Sequence, residues 1–119
     1  MTTQEQSLHI LRDRLQAFAL ERDWDQFHSP KNLAMALVAE AGELVEHFQW
    51  LTEEQSRRVE GDKLAKVEEE LADVLIYLVR LADKLNVDLF AAAHKKIERN
   101  AQKYPADKVK GSAKKYTEY

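Results

Sequence analysis

Two carboxylate pairs sit inside apolar helical patterns, and that placement restricts both the fold and the chemistry open to this chain. Glu40 and Glu43 lie in LVAEAGELVEHFQW, and Glu70 and Asp73 lie in EEELADVLIYLVRLADKL. Within each pair the partners are three residues apart, so on a helix they share a face. In the first segment Leu33, Leu37, Leu44 and Phe48 step by three or four residues, and Glu40 falls within that series. A solvated Glu belongs on the opposite face. In the second segment the apolar series is Val67, Leu71, Val74, Leu78, Leu81 and Leu85, with Glu70 and Asp73 expected beside it and Tyr77 one turn beyond Asp73. Carboxylates in apolar surroundings carry a desolvation cost unless something positive compensates them.

The rest of the chain reads as all-α. It has only three Gly and two Pro, and no alternating strand pattern persists. The pattern predicts a first helix over residues 4–22, with Leu8, Leu11, Leu15, Phe18 and Ala19 as its apolar stripe. A loop, DWDQFHSP, follows. Ser29 then caps a second helix, with Pro30 in its first turn, predicted to run to Gln49. Thr52 to Gln55 has the form of a capping box, Gly61-Asp62 marks a break, and a long helix is expected to Leu85. Asp88 caps a last helix that ends before Tyr104-Pro105. The expectation is one domain over residues 1–104, a bundle of four main helices, with 105–119 as a polar C-terminal arm. The apolar faces exceed what so small a bundle covers, so oligomerisation is expected to complete it.

Composition narrows the chemistry further. There is no Cys, which removes disulfides, thiolate nucleophiles and thiolate metal sites. The start, MTTQEQSLHI, shows no secretory pattern, and the longest apolar runs are too short to span a bilayer. The cytoplasm is the expected location. Residues 1–93 sum to −8 and residues 94–119 to +5. An acidic body argues against broad nucleic-acid affinity, because phosphate backbones require concentrated Lys and Arg.

If the two acidic helices pack antiparallel, both pairs meet in one cleft. Converging carboxylates must take up protons or a cation. Oxygen ligands select hard ions, Mg²⁺ first and Mn²⁺ second, with a purely structural ion-pair network as the competing reading. A di-iron bundle needs two Glu-x-x-His repeats, and only Asp25/His28 has a comparable spacing, in a loop. Glu46, Glu68 and Glu69 read as solvated or supporting, and His47 and His94 as structural or exposed. Trp24 and Trp50 are the only tryptophans, both at predicted helix-loop junctions, where a ring suits either the core or stacking on a nucleobase.

The order E-A-G-E-L-V-E, a gap, then E-E-E-L-A-D-V-L-I-Y-L resembles the MazG-like nucleoside triphosphate pyrophosphohydrolases, an all-α superfamily with an ExxE…ExxD magnesium motif. ERDWDQFHSPKNL, FQW, and KYP followed by GSAKKYTEY narrow the resemblance to its dCTP pyrophosphatase branch. The resemblance covers nearly the whole chain. It implies hydrolysis between the α and β phosphates of a (deoxy)nucleoside triphosphate, with dCTP or its modified forms as first candidate, giving the monophosphate and pyrophosphate. It implies Glu40, Glu43, Glu70 and Asp73 as the catalytic metal ligands. It places Trp24, Trp50 and His28 around the base, assigns Tyr77 to the ligand, and sets Lys96 and Asn100 on the phosphates. Water is the expected nucleophile, with Glu43 or Glu40 as proton acceptor. A homotetramer built from dimers and a role in cleansing the nucleotide pool are also implied by resemblance alone. Two alternatives of other classes are a nucleotide-binding sensor with little turnover and a protein-interaction module of the same fold.

Overall fold

A computed structural model describes residues 4–113, with side chains from residue 7 onward. The KKYTEY segment, which contributes to the resemblance above, lies outside the described residues. The order is α1 (Gln4–Glu21), a 3₁₀ turn (Asp25–Phe27), α2 (Pro30–Glu46), α3 (Glu53–Ser56), α4 (Gly61–Lys84), α5 (Leu89–Lys103) and α6 (Ala106–Val109). The all-α expectation holds, with four long helices and no strand among the described residues.

The chain forms two compact units, up to Asn86 and from Val87 onward. In the first unit α1 and α2 both pack on α4. Asp25 and His28, just ahead of α2, reach Arg80 and Lys84 near the end of α4. His47, just after α2, comes within 3.8 Å of Glu70. The two helices therefore run antiparallel, the arrangement the acidic pairs require if they are to meet.

Helix ends fall where local chemistry puts them. Asp23 adopts a left-handed φ of 55° and closes α1, with Trp24 N–H donating to Ala19 C=O and Asp23 N–H to Leu20 C=O. That pairing is a Schellman closure, and it fixes Trp24 directly after the helix. Ser29 Oγ accepts from Asn32 N–H at 3.1 Å with Pro30 in the first turn. Thr52 and Gln55 form the expected capping box around α3. Gly61, at φ 64°, turns the chain into α4 in a conformation glycine adopts without steric cost. Asn86 at φ 56° closes α4, and Asp88 Oδ1 caps α5.

Three expectations are corrected. Helix α2 stops at Glu46 rather than Gln49. Tighter bonds, His47 N–H to Leu44 C=O and Phe48 N–H to Val45 C=O, bend residues 47–50 into turns. The apolar series of α4 is not one face. Val67 is buried and Val74 and Leu81 are half-buried, whereas Leu71, Leu78 and Leu85 are exposed along with Leu64 and Leu75. These five form a second stripe turned away from α1 and α2. Phe18, expected in the core stripe of α1, is also largely exposed, while Ala19 beside it is buried. Within the stretch read as a polar arm, residues 106–109 form the short helix α6, which opens directly after Pro105.

In the second unit α5 is exposed along most of its length, with Lys95, Lys96 and Arg99 beside a shallow cavity of about 410 Å³ that begins at Asp88. Among the described residues no helix is long and apolar enough to cross a membrane.

Candidate functional site

Helices α2 and α4 bring three of the four predicted carboxylates together. One oxygen each from Glu40, Glu43 and Glu70 lies within 4.8 Å of the others. Glu40 and Glu70 are half-buried and Glu43 is exposed. Asp73 is outside this tight group, one turn further along α4, half-buried, and it adds to the negative field on Glu40. Glu46, Glu68 and Glu69 are exposed.

The electrostatics are those of a site built to be neutralised. Burial, then the adjoining Glu43, then the charges of Asp73 and Glu70 push the Glu40 carboxyl up to about 7. Burial and Glu43 also raise Glu70, while His47 opposes the rise. The Oε2 atoms of Glu40 and Glu70 are buried and have no hydrogen-bond partner among the described residues. A buried acceptor left unpaired costs on the order of 1–3 kcal/mol, more when charged. The donor set is all oxygen, contributed by two rigid helices, and the orphaned atoms are acceptors. These residues can therefore hold a hard divalent cation.

Beside the carboxylates is a cavity of about 310 Å³. Leu15, Phe18, Ala19 and Ile76 supply its apolar wall. Trp24, His28, Asp73, Tyr77 and Arg80 supply its aromatic and polar groups. Trp24 is set by the Schellman closure of α1 and packs edge-on to Phe18, with ring centroids 5.7 Å apart. Arg22 lies over the other ring, its guanidinium 3.6 Å from the Phe18 centroid. The loop that carries His28 is held by Asn32 Nδ2 donating to Phe27 C=O and by Gln26 donating to Asp23.

Trp24, His28 and Tyr77 thus share one cavity with Asp73. Trp50 does not: it stands in the turn after α2 and is 86% exposed. Lys96 and Asn100 lie on α5 in the second unit, where Asn100 C=O accepts the Tyr104 N–H.

Sequence reasoning missed a polar network under the cavity. Arg80 is only 3% exposed. Its Nη2 donates to Asp25 Oδ1 at 2.9 Å, and Lys84 Nζ donates to the same oxygen at 2.6 Å. These two cations hold the Asp25 carboxyl below its usual range. Arg80 Nη1 lies 3.5 Å from Asp83 Oδ2, which accepts from Gln16 Nε2 at 2.7 Å. Helical spacing puts Asp73, Tyr77, Arg80 and Lys84 on one strip, a signal for the direction of Arg80 but not for its burial. His47, read as structural or exposed, stands beside Glu70.

The chain has clear relatives. The MazG-like family model matches residues 35–119. dCTP pyrophosphatase 1 of Rattus norvegicus is 47% identical over 116 residues, covering 96% of this chain and 68% of that protein. The Homo sapiens dCTP pyrophosphatase 1 matches with the same identity and coverage. The crystal structure of a pyrophosphatase from Archaeoglobus fulgidus aligns with a TM-score of 0.79 at 40% identity, covering 83% of this chain and 93% of that one.

Proposed function

The chain belongs to the MazG-like family, and from that premise we propose that it is a nucleoside triphosphate diphosphatase that hydrolyses dCTP or a modified dCTP to the monophosphate and pyrophosphate. The observation that carries this reading is the meeting of Glu40, Glu43 and Glu70 from two helices, with two buried acceptor oxygens unpaired, beside a cavity bearing Trp24 and His28. Relatives described as dCTP pyrophosphatases support the substrate class.

Glu40, Glu43 and Glu70, with Asp73 next to them, would hold magnesium, or manganese in its place. Bound there, the ion supplies neutralisation of the charge that builds on the leaving pyrophosphate and acidifies water. The residues of the chain do the rest. Trp24 stacks on the base and Tyr77 and His28 bound its edge, which fixes the nucleoside end. The wall of Leu15, Phe18 and Ile76 keeps bulk water from the base. Water attacks the α phosphorus and the bond to the α–β bridging oxygen breaks. The proton of the water passes to a carboxylate, Glu43 or Glu40. The assignment of Trp50 to the base, and of Lys96 and Asn100 to the phosphates, rests on the motif resemblance alone.

Two outward stripes support a homo-oligomer, a dimer or a tetramer built from dimers: Met35, Val38 and Val45 on α2, and Leu64, Leu71, Leu75 and Leu78 on α4, all exposed in the single chain. We assign residues 1–104 to the catalytic helical domain and 105–119 to an arm. We further propose that the protein acts in the cytoplasm on the free nucleotide pool, with neither nucleic acid nor a membrane as partner.

The test is a panel of natural and modified nucleoside triphosphates with Mg²⁺, the products separated by chromatography. Monophosphate and pyrophosphate are expected, with dCTP or a modified dCTP preferred. Glu43→Gln and Asp73→Asn are expected to lose turnover. Pyrophosphate release near the unaltered rate from both variants overturns the site.

A further inference from the structure

Arg80 has no place in the acidic cluster, yet it is the most buried charged side chain described, and part of its hydrogen bonding is directed at a residue of the cavity. Its Nε lies 3.3 Å and its Nη2 3.1 Å from Nδ1 of His28. A guanidinium offers only donors, so Nδ1 must be the acceptor. A neutral imidazole whose Nδ1 is bare carries its proton on Nε2. Nε2 takes part in no hydrogen bond among the described residues, and the ring lines the cavity. The charged groups around the ring favour the same state. Arg80 and Lys84 approach from α4, and burial together with these two cations lowers the His28 pKa against the opposing pull of Asp25 from the 3₁₀ turn. Asp73 and Tyr77 line the same cavity from α4.

We infer that Arg80 is a positioning residue that locks His28 as its Nε2–H tautomer, so that the pocket meets the base with one fixed hydrogen-bond donor and selects a nucleobase edge presenting a carbonyl or ring-nitrogen acceptor. The inference rests on the reading of this cavity as the base pocket. Asp25 completes the device: itself held by Lys84, it anchors the guanidinium through Nη2, which leaves Arg80 little freedom to turn away from the imidazole. A site that fixes a donor also penalises a base lacking the matching acceptor, because the donor is then left unpaired in an apolar cavity.

The first measurement uses the full chain without substrate, labelled with ¹⁵N-histidine, and records imidazole ¹⁵N–¹H correlations at neutral pH. The expected pattern for His28 is a protonated Nε2 and a bare Nδ1. A protonated Nδ1 overturns the proposal, and this reading requires no variant to fold. In Arg80→Met the pattern is expected to shift toward a mixture of tautomers, and an unchanged pattern in the folded variant overturns the lock. The second measurement is kinetic. Arg80→Met is expected to raise KM for dCTP about tenfold with a much smaller change in kcat, the size of one lost hydrogen bond. Arg80→Lys, which keeps a donor, is expected to recover most of that loss. In a His28→Ala background Arg80→Met is expected to add nothing, whereas an effect of the same size in both backgrounds overturns action through His28. Absence of turnover by the unaltered chain overturns the hydrolase reading instead, and the tautomer assignment then stands or falls on the NMR pattern alone.

Discussion

Glu40 holds two incompatible tasks in one side chain. Its Oε2 is buried without a partner among the described residues, and its carboxyl is pushed up to about 7 by burial and by the carboxylates around it, against an ordinary value of 4.5. In the ion-free protein the folded chain therefore keeps a proton that the unfolded chain has already released. Below 4.5 both states carry it, and the stabilisation is complete. As pH rises toward 7 the unfolded state gives up its proton first, so this contribution to stability is lost across that window. His28 works in the opposite direction, since its lowered pKa makes the fold gain stability as pH rises toward 6.5, and above that value the gain is complete. The informative quantity is thus the difference between the unaltered chain and Glu40→Gln. With a chelator present, Glu40→Gln is expected to melt higher than the unaltered chain at neutral pH, and the gap is expected to widen as pH rises from 4.5 to about 7 and to level off above. Added Mg²⁺ is expected to close or reverse that gap by stabilising only the chain with the full acidic set. The same variant is expected to slow dCTP hydrolysis about a hundredfold or more, since ion-assisted charge stabilisation is worth several kcal/mol. Scanning calorimetry at two pH values and a pyrophosphate assay check both halves.

At the level of elements, the site depends on where helices begin and end. The Ser29 cap sets the start of α2 directly after His28 and so couples the register of Glu40 and Glu43 to the loop that lines the cavity. Ser29→Ala is expected to lower stability by about 1 kcal/mol, measured by urea unfolding, with the helical content of the native state retained. Such ends were legible in the sequence because capping is local: Ser29-Pro30, the Thr52–Gln55 box and Asp88 each announce a start through a side chain and the backbone three residues on. Periodicity identified α4 and the strip of Glu70, Asp73 and Tyr77, but it could not divide the helix between two apolar faces. Leu71 and Val74 look alike in a hydrophobic pattern, and only packing against α1 and α2 decides that one is exposed and the other half-buried. Arg80 escaped for a related reason. A guanidinium among aliphatic residues reads as solvated, and its burial depends on Asp25 and His28, more than fifty residues earlier in the chain.

For the whole molecule, what the single chain leaves uncovered matters as much as what it buries. Among the described residues the buried apolar core is small, Ala19, Leu33, Val67, Val79 and Ala82, while large side chains on α2 and α4 face outward. A stable dimer removes roughly 800 Å² from each partner, and a leucine-rich helix stripe is suited to supply it. Leu71→Lys combined with Leu78→Lys is expected to shift the sedimenting species to single-chain mass while far-UV circular dichroism stays helical, because both side chains are exposed before assembly. An unaltered chain that sediments only as a monomer at micromolar concentration overturns the oligomer reading. The two tryptophans, finally, occupy unlike settings: Trp24 packs against Phe18 beside the cavity, and Trp50 stands bare in its turn. Their fluorescence consequently separates into a quencher-accessible emitter and a partly shielded one, and binding beside the carboxylates perturbs the shielded emitter.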